Sequence, residues 1–147
     1  MLSCMLALNI SIRMYADMNA HSLLEKSKTA CKIIDSRTLD TYFSSTLSNN
    51  RFFLYQYAIV LYDAREYSKA LKAIIAYENV CAGYNASLLK GDVYTELHAY
   101  KMAEKSYVRA KNMCPSRFLP LFKLFLLYQQ SGQFSNASKI ANIIVSK

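Results

Sequence analysis

Two histidines, four cysteines and ten carboxylates are the side chains of this chain best suited to chemistry. His21 and His98 have no acid–nucleophile pairing around them. Asp92 and Glu96 stand four residues apart, which puts both carboxylates on one face of a helix. Paired acids can move a proton, but this spacing is also that of an ordinary surface pair. Cys4, Cys31, Cys81 and Cys114 are widely separated, with no CxxC and no Cys/His cluster. Zinc needs ligands paired at short spacing, so no metal centre is expected. Four free, buried thiols and a reducing compartment are the expectation instead. No Gly-rich phosphate loop, GxSxG or HExxH occurs. The residues therefore supply no catalytic group, metal ligand or cofactor site, and the chain reads as a non-enzyme.

The formal net charge of +8 is unevenly spread. No acid follows Glu104, whereas Lys105, Arg109, Lys111, Arg117, Lys123, Lys139 and Lys147 do. Such a surplus can meet phosphate or an anionic membrane surface, or can be a solvated helix face. Nucleic acid is disfavoured, because the tyrosines fall on helix-core spacing instead of alternating with bases. The opening stretch MLSCMLALNISIR is apolar for 12 residues and then basic. A membrane span takes about 20 residues, and a signal peptide carries its positive charge before the apolar run. This stretch reads as a packed first helix or as the end of a membrane helix.

The elements that must position these residues are helices. A chain of 147 residues fits one domain that buries about two thirds of its unfolded surface. Apolar residues make up 53%, and only 3 Gly and 2 Pro are present. That is too few turn formers for a sheet protein. An aromatic-x-x-Ala step recurs as Tyr67/Ala70, Tyr100/Ala103 and Phe134/Ala137, at spacings of 33 and 34 residues. Ahead of each step lies a second apolar helix, so each repeat is a helix pair. Helices are expected over 4–34, 37–47, 51–64, 67–81, 84–97, 100–113, 117–131 and 134–146, the first breaking near Asn19. Within 13–48, Leu24, Lys28 and Cys31 share a side of one helix, and Ser36 caps the next.

Close-packed helices need a small residue where backbones approach and a large one beside it. Ala103, Tyr107 and Ala110 supply this on one helix, Gly91 and Tyr94 on the helix before it. Pro115 lacks an N–H and restricts Cys114, so that helix ends there. The pattern resembles the tetratricopeptide repeat. In the middle unit the matches are Gly91, Tyr94, Tyr100, Ala103, Tyr107, Ala110 and Pro115. The last unit matches at Leu121, Leu124, Tyr128, Gly132, Phe134 and Ala137, the first at Leu54, Ala58, Leu61, Tyr67, Ala70 and Ile74. Ser87 and Lys90 stand where large residues are usual, Phe125 where a small one is, and the first unit lacks a closing proline. The resemblance implies an all-α, right-handed superhelical array of antiparallel helix pairs, an α-solenoid. Its organisation would be an apolar segment over 1–12, a diverged capping pair over 13–50, and repeats over 51–83, 84–117 and 118–147.

Such an array implies a groove lined by the first helices that takes a protein or peptide partner. Its candidate lining residues are Gln56, Tyr57, Val60, Lys90, Asp92, Glu96, Lys123 and Gln129. The Lys and Asn pattern by which some members clamp a C-terminal carboxylate is not matched. The terminal ANIIVSK is apolar on one side and calls for a further helix, a second copy or another segment to cover it. A closer resemblance lies in "NMCPSRFLPLF", followed by Leu127, Tyr128 and Gly132. It is similar to the repeat region that ends Bacteroidetes O-antigen ligase or polymerase-like membrane proteins. That resemblance implies an envelope glycan-assembly setting, cytoplasmic or at the inner membrane. It carries over no catalytic residue, because the chemistry of such proteins belongs to their membrane part. The leading expectation is a non-catalytic docking scaffold. The alternatives are a basic membrane-surface element and a piece of a glycosyl-transferring membrane enzyme.

Overall fold

The computed structural model describes residues 49–146 throughout and, ahead of them, residues 10–12, 14, 15, 18, 19, 22, 40, 43 and 47. Cys4, His21, Leu24, Lys28, Cys31 and Ser36 lie outside the described residues. From residue 51 onward six helices follow one another: α1 Arg51–Asp63, α2 Tyr67–Val80, α3 Tyr84–Glu96, α4 Tyr100–Met113, α5 Leu119–Gln130 and α6 Phe134–Val145. Every element from residue 51 onward is α-helical, and the ends fall within two residues of the expected ones. The fold class is all-α, built of antiparallel helix pairs of the tetratricopeptide type.

α1 has a side-chain N-cap: the Asn50 carboxamide oxygen accepts from Phe53 N at 3.1 Å. The turns inside the pairs are closed by backbone. Glu66 N bonds Leu61 O, Ala99 N bonds Tyr94 O, and Gln133 N bonds Tyr128 O, at 2.8, 2.9 and 2.8 Å. The residue before each also bonds back: Arg65 to Tyr62 O, His98 to Thr95 O and Gly132 to Gln129 O. This is the Schellman pattern, whose penultimate residue takes a left-handed conformation. The φ values there are 61° at Arg65, 56° at His98 and 73° at Gly132. The left-handed residues are spaced by 33 and 34, so the turn repeats with the period of the sequence. Only the third copy has the glycine that this conformation favours.

The chain divides into two compact units, residues 1–80 and 81–147. In the first, α1 packs against α2 over Phe53, Leu54, Ala58, Leu61, Ala70, Ala73 and Ile74, all buried, together with Leu47. Tyr55 of α1 and Tyr77 of α2 meet at 5.4 Å between ring centroids. In the second, α3 packs on α4, α4 on α5, and α5 on α6. Their shared core holds Leu88, Ala103, Tyr107, Ala110, Leu124, Leu127, Tyr128 and Ala137, with Tyr94 and Phe125 partly buried against it.

The small–large alternation has a specific purpose here. The Tyr107 ring lies directly on the Cα of Gly91: a β-carbon at Gly91 would be 2.3 Å from Tyr107 Cε1. Gly91 thus accepts an aromatic ring from α4 more than it lets two backbones meet. One repeat later, Phe125 takes the position of Gly91 and Ala141 that of Tyr107, so large and small have exchanged places. Ser87 is buried at an expected large position, with its hydroxyl donating to Gly83 O at 3.1 Å and lying 4.0 Å from Met113 Sδ. After Met113 the chain turns through Pro115, with Arg117 N bonded to Cys114 O at 3.1 Å. Pro120 then sits in the first turn of α5, where its missing N–H has no helical partner to lose. Cys81 and Cys114 are free, half-buried thiols.

Candidate functional site

In the second unit, one ion pair fixes which sides of α3 and α5 face each other. Lys123 Nζ lies 2.8 Å from Asp92 Oδ1. The same carboxylate oxygen accepts from the Tyr107 hydroxyl at 2.6 Å, and Thr95 Oγ1 is 3.2 Å from that hydroxyl. Thr95 also donates to Gly91 O at 2.9 Å. Three helices are therefore tied at one polar knot, around Asp92. A second tie joins α5 to α4: the Tyr128 hydroxyl donates to Glu104 Oε1 at 2.6 Å. Burial, and then the hydrogen bond and charge of Glu104, push the Tyr128 hydroxyl up to about 12. It stays protonated at neutral pH and serves as a donor rather than as a base.

Next to Lys123 on α5 lies an apolar strip that solvent reaches. Leu119, Phe122 and Leu126 are 44%, 39% and 42% exposed. At about 100° per residue they share one face with Lys123. Phe118, also exposed, stacks on Phe122 with ring centroids 5.7 Å apart. The opposite side of α5 carries the core residues Leu121, Leu124, Leu127 and Tyr128. This strip is absent from the residues expected from sequence to line a groove. Its signal was there: LPLFKLFLLYQQ is apolar on every face, which a helix packed on one side does not require.

The eight expected lining residues divide. Asp92 and Lys123 are brought together as a pair, Glu96 and Gln129 are exposed, and Lys90 is half-buried on α3. In the first unit Gln56 and Val60 are half-buried on α1. Tyr57 is corrected: it is 2% exposed and belongs to the core, because its ring stacks on Phe53 at 5.5 Å. Its hydroxyl donates to Asp40, which also holds Lys69 at 2.9 Å. Lys69 in turn meets Glu66 at 2.7 Å. Burial raises the Asp40 carboxyl, but the bonds from Tyr57 and Lys69 and the charge of Lys69 outweigh it, leaving its pKa below the usual range. Burial and Asp40 together raise the Tyr57 hydroxyl. Lys69 is raised by its bonds to Glu66 and Asp40.

His98 occupies the exposed left-handed turn position, with Nδ1 3.0 Å from the Tyr100 hydroxyl. Among the described residues, no group of three or more His, Cys, Asp or Glu is placed to hold a metal. None of the described helices is long and apolar enough to cross a membrane.

No protein-family model matches the sequence, and no curated protein does. Among solved structures, the chain is similar to the crystal structure of MamA, with a TM-score of 0.73. The match has 16% sequence identity and covers 84% of this chain and 72% of the MamA chain. At that identity the likeness establishes the fold, a tetratricopeptide-like helical repeat.

Proposed function

We propose that the chain is a non-catalytic docking module, and that the α3–α5 face of its second unit receives a segment of a partner protein. One observation carries this reading: Leu119, Phe122 and Leu126 form a solvent-facing apolar strip beside Lys123, on a helix whose other side already fills the core. An exposed strip of this kind marks an interaction surface. Helix pairs of the tetratricopeptide fold generally serve to hold protein partners, which supports the reading. Of the residues expected to line the groove, Lys90, Asp92, Glu96, Lys123 and Gln129 are carried by these two helices. A photo-crosslinking side chain at position 126 tests it in cells. It should trap polypeptide, and the same group at position 105 on α4 should not. Equal trapping at both positions, or none at 126, refutes the reading.

A second reading has its own observation. Lys101, Lys105 and Arg109 recur every four residues along the exposed side of α4, a stripe that can meet an anionic membrane. Sedimentation with vesicles should then rise with anionic lipid and fall with salt. The narrower assignment, to an envelope glycan-assembly protein of the O-antigen ligase type, rests on residues 112–122 followed by Leu127, Tyr128 and Gly132. A reading frame continuing upstream through several apolar spans of about 20 residues each would support it. In that case the chain would be part of a glycosyl-transferring membrane enzyme.

A further inference from the structure

The geometry points to the kind of partner: a short apolar segment bearing acidic residues, laid along α5 so that one of its carboxylates takes Lys123 in competition with Asp92. This deepens the docking reading and rests on it. The strip of Leu119, Phe122 and Leu126, extended at its start by Phe118, favours an apolar segment. The second unit's charge imbalance favours acidic residues on that segment. Residues 81–147 hold nine Lys and Arg but only Asp92, Glu96 and Glu104 as acids. Two of those acids are engaged internally, Asp92 by Tyr107 and Lys123, and Glu104 by Tyr128. The unit thus carries six more basic than acidic side chains, a balance that attracts an acidic partner.

Lys123 is the base that adjoins the apolar strip, and its side chain is 31% exposed while it is paired. It can swing from Asp92 to an incoming carboxylate without uncovering the core. Asp92 would keep its bond from Tyr107 in that exchange. A flat anionic bilayer fits less well. The stripe of Lys101, Lys105 and Arg109 lies on the exposed side of α4, opposite its buried Ala103, Tyr107 and Ala110, and away from the apolar strip. Arg117, at the head of α5, is drawn over the Tyr84 ring, 4.5 Å from its centroid.

The test selects from a display library of random short peptides against the full chain. The expected pool is enriched in Leu, Ile or Phe together with Asp or Glu. Phe122→Ser changes an exposed residue and should leave the circular dichroism intact while weakening the selected peptides at least tenfold. Asp92→Asn keeps an acceptor for Tyr107 and removes the competing charge, so it should tighten them several-fold. Enrichment of neutral or basic peptides, indifference to Phe122→Ser, or no gain with Asp92→Asn overturns the inference while leaving a docking module in place. No enrichment at all sinks the docking reading itself. Capture of the chain by phosphatidylglycerol vesicles that Phe122→Ser abolishes, with no peptide enriched, reassigns the face to a membrane.

Discussion

Replacing Gly91 by Ala adds one methyl group where no space exists for it. The new carbon would lie 2.3, 2.5 and 2.8 Å from Cε1, Cδ1 and Cζ of Tyr107. Ordinary carbon contacts are about 3.5–4.0 Å, so the ring must retreat by about 1 Å. It has nowhere to go. Tyr107 is 2% exposed, its hydroxyl is anchored on Asp92 at 2.6 Å, and it sits in one cluster with Leu88, Ala103, Ala110 and Leu124. Overpacking of this kind costs about 1–3 kcal/mol. If the ring shifts enough to release Asp92, a charge-assisted hydrogen bond worth about 1.5–3 kcal/mol goes too. Against this, Ala gains about 1 kcal/mol of helix propensity over Gly. The net expectation is a loss of roughly 2–3 kcal/mol, read by urea unfolding followed at the helical circular dichroism band. In a Tyr107→Ala background the clash partner is gone, and Gly91→Ala should become neutral or stabilising. The double-mutant cycle should then show coupling of more than about 1 kcal/mol. If Gly91→Ala in the otherwise unchanged chain unfolds at the same urea concentration or a higher one, the ring-on-glycine packing is refuted.

Other consequences can be measured the same way. Arg65→Gly and His98→Gly should each stabilise the chain by about 0.5–1 kcal/mol by removing a left-handed non-glycine residue, and Gly132→Ala should destabilise it by about 1 kcal/mol; the reverse order in thermal unfolding would contradict the three-turn equivalence. Tyr84 carries a buried hydroxyl with no hydrogen-bond partner among the described residues, so Tyr84→Phe should be neutral or stabilising, and a clear loss of stability would show that the hydroxyl is satisfied. The Tyr128 hydroxyl, raised to about 12 from an ordinary 10, contributes stability that is complete below pH 10 and lost as pH climbs from 10 towards 12. Tyr128→Phe should therefore narrow its stability gap from the natural chain over that range, and a gap constant with pH would refute the Glu104 tie. Asp40, held low, has the opposite sign: its contribution is present above about pH 4 and fades as pH falls further.

Much of this fold was legible because its signals are local and periodic. Tyr67, Tyr100 and Phe134 open the second helices as their spacing requires, and Pro115 ends α4 by its covalent structure. Gly91 and Tyr107 were each recognisable as members of a small–large pattern, but the contact between them joins residues 16 positions apart in the sequence. Only the packing of α3 on α4 reveals it. The positions of the turns at Arg65 and His98 follow from the helix spacing but their conformation does not, since neither residue announces a left-handed backbone as Gly132 does. Tyr57 was misplaced because a tyrosine on a first helix can face either way; its ring went to the core and its hydroxyl to Asp40. The strip on α5 was hidden by its own composition. In a helix apolar on all sides, hydrophobicity does not tell the buried face from the exposed one, and only the packing of α4 and α6 against α5 decides it.

A bound segment should touch the second unit along α5. Backbone amide chemical shifts of the full chain should be followed by nuclear magnetic resonance as a display-selected peptide is added. The expected changes cluster at Leu119, Phe122, Lys123 and Leu126, with a matching shift at Asp92 as its ion pair opens. Changes centred instead on Lys101, Lys105 and Arg109, with α5 and Asp92 silent, would contradict it.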